Sequence, residues 1–447
     1  MLDTRASSRR DLLHRAAPSL LWLVWLTTMA GFLGPQPAAA QESCASCHAA
    51  LLKIANVHAP TEDCSTCHES TATPHPQPGQ KTFKLTQTVP ELCAPCHDAF
   101  GKSVVHAPVK EGSCTTCHDP HGSEQAKLLT AAPKELCSSC HAEVAESKYP
   151  HGPVSAGDCL LCHDAHQSES KALLVRQGDA LCAGCHLDAQ GFSKAKSVHA
   201  ALEAGCTSCH SPHGAANPKL LAVSGSEQCF QCHDEVAAKV AKASVPHAPV
   251  KADQGCVTCH SPHASDNPKL LLKAEGEVCL GCHKAVLPKA ATVLHGPVKD
   301  GQCTPCHAPH GGEHAKLLVA EFPKPPYVPY TATQYALCFS CHDRALVQDR
   351  QTSVATGFRD GEKNLHFLHV NNEQKGRSCR LCHEIHGGPN PSLIASSVPF
   401  GKWSLPLNFV KTGGGGSCAP GCHRAYSYDR ENPGRKLEVP GPVRKRN

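Results

Sequence analysis

Thirty cysteines fall into fifteen units in which a histidine directly follows the second cysteine, and none is left over. Fourteen units have the spacing C-x-x-C-H. They are Cys44, Cys47, His48; Cys64, Cys67, His68; Cys93, Cys96, His97; Cys114, Cys117, His118; Cys137, Cys140, His141; Cys159, Cys162, His163; and Cys182, Cys185, His186. The series continues with Cys206, Cys209, His210; Cys229, Cys232, His233; Cys256, Cys259, His260; Cys279, Cys282, His283; Cys303, Cys306, His307; Cys338, Cys341, His342; and Cys379, Cys382, His383. The fifteenth, Cys418, Cys422 and His423, has one extra residue, and Pro420 and Gly421 can bend it out of the turn. Two thiols three residues apart lie on one side of a short turn. There they can form thioethers to one macrocycle, and the next histidine reaches its iron from the same side. This is the attachment signature of c-type haem, about fifteen copies of it. Structural zinc and disulfide frameworks also use many cysteines, but neither requires a histidine after every second cysteine.

A second axial ligand must come from elsewhere. Met1 and Met29 are the only methionines, and both precede residue 41. Histidine is abundant: of 32, fifteen are proximal and His14 is N-terminal, which leaves sixteen distal candidates. His58, His106, His151, His199, His247 and His295 precede a unit, mostly in an H-[AG]-P context, and His366 or His369 takes that place later. His121, His166, His213, His263, His310 and His386 lie three residues after a proximal histidine, His75 comes late after its unit, and His314 is supernumerary. In C-H-x-x-H the two histidines point the same way from one turn. Axial nitrogens face each other about 4 Å apart through the iron. His118 and His121 therefore serve different haems, although spacing does not assign each distal histidine to its haem.

The units come in seven pairs, by first cysteine 44 and 64, 93 and 114, 137 and 159, 182 and 206, 229 and 256, 279 and 303, 338 and 379, with 418 alone. One repeat reads C-x-x-C-H, a helical stretch, H-[AG]-P-V, a turn, C-x-x-C-H-x-P-H-G and K-L-L. Residues 135–148 and 227–242, rich in Ala, Glu and Lys, are expected to be helical. The second unit of each pair runs into Pro and Gly, so its helix is one turn at most. No stretch alternates with period two. The expected fold is mainly irregular with short α-helices, an elongated repeat array of haem-binding units with little or no β-sheet.

The expected layout is a signal peptide at 1–40, six paired repeats carrying twelve haems at 41–320, and a Pro-rich extended linker at 321–337. The seventh pair and the last unit, three haems, occupy 338–430, and 431–447 is a polar tail expected to be poorly ordered. Residues 413–416, all glycine, read as a flexible loop. The signal peptide rests on Arg5, Arg9, Arg10 and Arg15, an apolar run, and Ala38, Ala39 and Ala40. Beyond it no apolar run approaches the length of a membrane-spanning helix. Aromatic residues make up only 4% of the chain, so the haem stack must supply the core. The formal charge is +4. Ionised propionates would make the loaded protein strongly acidic, which argues against nucleic-acid binding.

These motifs resemble the paired-CxxCH multihaem c-type cytochromes, related in style to the cytochrome c3 group. The resemblance covers nearly all of residues 43–430, and the closing segment with Trp403 and the Cys418 unit resembles the end of large members. It implies that the Cys418 unit carries haem. It also implies periplasmic or outer-surface electron transfer with other redox proteins, an inner-membrane or periplasmic donor and an outer-membrane or extracellular acceptor. Some relatives sit inside a β-barrel porin. Histidine pairs and the lack of methionine predict uniformly low potentials. The alternative is a reductase with one open haem acting on a nitrogen or sulfur oxyanion. Its best candidate is the Cys418 unit, with Arg424, Tyr426 and Tyr428 nearby.

Overall fold

The computed structural model describes residues 43–98 and 100–434. The signal-peptide region and residues 435–447 lie outside the described residues. The chain is a repeat array of one-turn helices joined by irregular segments, with short antiparallel strand pairs.

Five second units of a pair sit on a single 3-10 turn, such as Cys114–Thr116 or Cys206–Ser208, while the Cys379 unit forms a one-turn α-helix, Cys379–Cys382. In the Cys114–Thr116 turn the amides of Cys117 and His118 both donate to the Cys114 carbonyl, at 3.2 and 3.1 Å. Three first units sit at the end of slightly longer helices, Pro133–Ser138, Gly225–Phe230 and Glu275–Cys282. The helices expected over 135–148 and 227–242 are each broken at the histidine. His141 and His233 leave the helical region with ψ 46° and 56°. A separate helix, Asp234–Lys242, then starts with Asp234 and Glu235 and ends with Lys239 and Lys242, charges that suit its own dipole.

Neighbouring repeats are clipped together by two-residue strands with a sequence separation of more than sixty. Asn56–Val57 pairs with Gly122–Ser123, Val104–Val105 with Gln167–Ser168, and Tyr149–Pro150 with Gly214–Ala215. Ser197–Val198 pairs with Ala264–Ser265 and Val293–Leu294 with Gly387–Gly388, while Val245 and Gly312 form a single bridge at the equivalent place. Within a sequence pair, glycines allow the two turns to touch. Gly301 takes φ 71°, and a Cβ added at Gly276 would lie 2.9 Å from the Gly301 Cα.

The K-L-L motif adopts an unusual backbone. Lys127 and Leu128, Ala172 and Leu173, Lys219 and Leu220, Lys269 and Leu270, Lys316 and Leu317, and Ser392 and Leu393 are all left-handed, with φ between 54° and 62°. Among the described residues the only other non-glycine residue with positive φ is Asn408. A left-handed L-residue costs about 1–2 kcal/mol, so twelve such residues require compensation elsewhere.

Among the described residues, buried hydrophobic side chains are confined to 335–428. Tyr335, Val347 and Val370 form one cluster, and Leu381, Ala395, Val398 and Leu407 another. The Pro-rich segment 321–337 is extended but packed. The Val328 amide donates to the Gly376 carbonyl at 2.7 Å, and Tyr335 is fully buried. The glycines at 413–416 are not a free loop. Gly415–Cys418 is the central strand between Val410–Lys411 and Tyr426–Asp429. A Cβ at Gly416 would lie 2.8 Å from both the Tyr428 hydroxyl and the Val410 carbonyl, so only glycine fits. Among the described residues no helix is long and apolar enough to cross a membrane.

Two substitutions probe this C-terminal core. Leu381→Ala should lower the stability of the C-terminal part by about 2–5 kcal/mol. Tyr335→Phe removes a buried hydroxyl that has no partner and should raise stability by about 1 kcal/mol. Thermal denaturation of the two holoproteins checks both signs.

Candidate haem-ligand pairs

Every proximal histidine faces one other histidine across a gap. The ring centres of His48 and His75 are 6.1 Å apart, of His58 and His97 6.0 Å, of His68 and His121 6.0 Å, and of His106 and His141 6.2 Å. His118 and His166 stand at 5.8 Å, His151 and His186 at 6.1 Å, His163 and His213 at 5.9 Å, and His199 and His233 at 6.0 Å. His210 and His263 stand at 6.1 Å, His247 and His283 at 6.2 Å, His260 and His310 at 6.1 Å, and His295 and His342 at 6.1 Å. His307 and His386 are at 6.2 Å, His366 and His383 at 6.4 Å, and His369 and His423 at 6.5 Å.

These separations fit an iron. Two metal–imidazole bonds of about 2 Å, plus about 1.1 Å from each nitrogen to its ring centre, give about 6.2 Å. Among the described residues no three or more His, Cys, Asp or Glu gather as a structural zinc would require. All thirty cysteines are free of disulfides. Much of the array surrounds one continuous cavity of about 4180 Å³, lined by the paired histidines, the unit cysteines and leucines of the K-L-L motif. The residues present therefore fit axially ligated haem.

The pairing has a rule that spacing alone left open. The H-x-P-type histidine faces the proximal histidine of the following first unit, as His106 faces His141. The second histidine of C-H-x-x-H reaches back to the preceding second unit, as His121 faces His68 and His166 faces His118. His366 and His369, one turn apart on the helix Leu365–Val370, hold the last two positions. The N-terminal end is closed by His75, whose Nδ1 lies 2.5 Å from the Thr82 hydroxyl.

His314 is not brought against a proximal histidine. It caps the 3-10 turn Ala315–Leu317, where other repeats carry Asn217, Asn267 and Asn390. Those asparagine amides donate across the turn to Leu221, Leu271 and Ile394 carbonyls at 2.9–3.1 Å. Its register, seven residues after the proximal histidine, sets it apart from the fifteen paired histidines.

Backbone carbonyls orient the imidazoles. Nδ1 of His58, His106, His151, His199 and His247 donates to the carbonyls of Pro120, Ala165, Pro212, Pro262 and Pro309 at 2.7–2.9 Å. His295 donates similarly to Ile385. Nδ1 of His118, His163, His210, His260, His307 and His383 donates to Lys127, Ala172, Lys219, Lys269, Lys316 and Ser392 at 2.8–3.0 Å. A proton fixed on Nδ1 leaves the Nε2 lone pair for metal. Burial also favours the neutral ring, most strongly at His366, which it pushes down to about 4, with His383 and His369 adding to the effect.

Cysteines of successive units approach each other in two alternating ways. Within a sequence pair the first cysteines lie close together, as Cys93 with Cys114, Cys137 with Cys159, Cys182 with Cys206 and Cys279 with Cys303. Between pairs the second cysteine lies near the next unit, as Cys117 near Cys140, Cys259 near Cys282 and Cys382 near Cys418. Units adjacent in sequence are thus adjacent in space. The last unit differs locally: Cys418 ends a strand, and the longer spacing is held by Ala419 and Gly421 amides donating to Leu407 and Pro406.

The model of the doubled CXXCH motif family matches this chain six times, at residues 58–102, 106–146, 151–191, 199–238, 247–287 and 295–346, together more than half its length. The chain belongs to that family. Each match opens on an H-x-P-type histidine and spans the second unit of one sequence pair and the first of the next, so one histidine pair closes within each match. Of curated proteins, the high-molecular-weight cytochrome c of Nitratidesulfovibrio vulgaris (strain Hildenborough) is similar, 28% identical over 124 residues. That match covers 24% of this chain and 23% of the relative, so less than a quarter of the relative is represented. Doubled CXXCH motifs hold covalently bound haem c, and this chain is a multihaem c-type cytochrome.

His369→Ala should open one iron and produce a high-spin ferric signal from one haem per chain. His314→Ala should leave every haem low-spin. Low-temperature EPR of the oxidised holoproteins separates the two.

Proposed function

We propose that this cytochrome carries electrons along a row of fifteen bis-histidine haems at low potential. The observation that carries the reading is that all fifteen proximal histidines face a second histidine at 5.8–6.5 Å. When bound, the haems supply iron that cycles between ferric and ferrous. The chain's own residues attach the macrocycles, close both axial faces and keep neighbouring units in contact. Two imidazoles per iron and no methionine after Met29 favour uniformly low potentials. Axial closure leaves no position for a substrate.

The reductase reading is weakest where it once looked best. The Cys418 unit has His369 opposite His423. Of the nearby acid and base candidates, the Tyr426 hydroxyl donates to Asp360 at 3.0 Å, and Tyr428 is buried against Phe358. We place the protein in the periplasm or at the outer membrane or cell surface, on the strength of residues 1–40 and the exported chemistry of haem attachment. Its partners would be redox proteins, a periplasmic or inner-membrane donor and an outer-membrane or extracellular acceptor, with a β-barrel porin as one setting.

Pyridine haemochrome analysis of the purified holoprotein should count fifteen haems per chain, and EPR should show only low-spin ferric signals. A high-spin haem that shifts on addition of nitrite or a sulfur oxyanion would restore the reductase reading.

A further inference from the structure

We infer that the two-residue left-handed turn at K-L-L is a positioning device that sets the proximal imidazole, and thereby the reduction potential, of six haems. This inference rests on the bis-histidine reading above.

The geometry repeats at all six sites. The first left-handed residue presents its carbonyl to Nδ1 of the proximal histidine, as Lys269 does to His260 at 2.8 Å. The second presents its carbonyl to the amide just after that histidine, as Leu270 does to Ser261 at 2.7 Å. Two residues on, the Leu272 amide donates back to the carbonyl of the second cysteine, Cys259, at 2.9 Å. The turn thus grips the end of the attachment motif by three bonds. An ordinary right-handed or extended pair would aim successive carbonyls elsewhere.

The side chains say which part of the turn matters. The first position is Lys, Ala, Lys, Lys, Lys and Ser, and it is exposed at every site, so its side chain is free to vary. The second position is Leu at all six, half-buried, in a conformation that leucine rarely adopts. Backbone outliers that persist despite an easy alternative mark a functional constraint. Glycine would relieve the strain at the first position, and none is used there.

The chain contains its own contrast. After His68 no left-handed pair of non-glycine residues follows; the strand Phe83–Leu85 pairs with His68–Ser70 instead. In the neighbouring first units it is the distal histidine that donates to a carbonyl, as His247 does to Pro309. Two haem environments therefore alternate, one anchored on the proximal side and one on the distal side. Donation from Nδ1 makes the imidazole a stronger donor to iron and favours the ferric state. Loss of the carbonyl should raise the potential of the affected haem.

The test compares two sixfold variants of the full holoprotein, with Lys127, Ala172, Lys219, Lys269, Lys316 and Ser392 all changed to Val or all to Gly. Valine resists a left-handed backbone, whereas glycine accepts it. Potentiometric titration of the haem absorbance should show six of fifteen haem equivalents displaced to higher potential in the Val variant. The Gly variant should follow the wild type. A Val variant with its full haem complement and a wild-type titration curve overturns the inference. If that variant does not mature, Lys269→Val alone should displace one haem equivalent, and an unchanged curve there overturns it equally. A wild-type protein lacking fifteen low-spin haems would instead count against the electron-carrier reading, before any variant is made.

Discussion

Axial ligation places two imidazole nitrogens on opposite sides of one iron, and no short stretch of chain can supply both. Residues one turn apart point the same way, so the histidine of C-x-x-C-H needs a partner from a distant segment. The chain brings fifteen pairs of histidines face to face, and its larger features follow from that arrangement. The C-H-x-x-H motif contributes by turning its two histidines toward two different partners, His118 toward His166 and His121 toward His68. The H-x-P motif contributes by holding a histidine at the end of a short strand that pairs with the next repeat. His58 shows both parts together. Its amide donates to the His121 carbonyl, its ring to the Pro120 carbonyl, and its open face looks at His97.

The energetic consequence is a protein with little conventional core. Through the first six repeats hydrophobic side chains stay half-buried or exposed, and the apolar walls of the cavity belong to cysteines and to leucines of strained turns. Burial of haem against those walls must offset both backbone strain and chain entropy, so ligation and folding are linked. The C-terminal part is different. There Tyr335, Leu365 and Leu381 are buried by protein alone, and the last two histidine pairs are set in that packing.

The sequence made the cofactor and the doubled attachment motif legible, because a covalent motif is local. Short helices, the repeat array and the near absence of sheet were legible for the same reason. Partnership was not. That His166 faces His118 rather than His141 depends on strand clips two residues long, which leave no periodic pattern. The helix break at His233 was masked by good helix formers on both sides, although Asp234 and Glu235 announced a new start. The run at 413–416 looked flexible because glycine is read as freedom, whereas here it admits Tyr428 against a strand. His314 was counted as a candidate by composition, and its register places it at the start of a turn, facing no proximal histidine.

The strand clips have a consequence for how such a protein can change length. Each repeat lends a distal histidine backwards and receives one from ahead, so every internal boundary offers the same donor and acceptor. The matched segments begin 45 or 48 residues apart. A duplicated segment of that size, inserted at any internal boundary, arrives with both halves of the join already written. Only the termini need bespoke solutions, His75 at one end and the helix bearing His366 and His369 at the other. The reach of the conductor is therefore quantised, lengthening two hearths at a time while its end-pieces stay as they are.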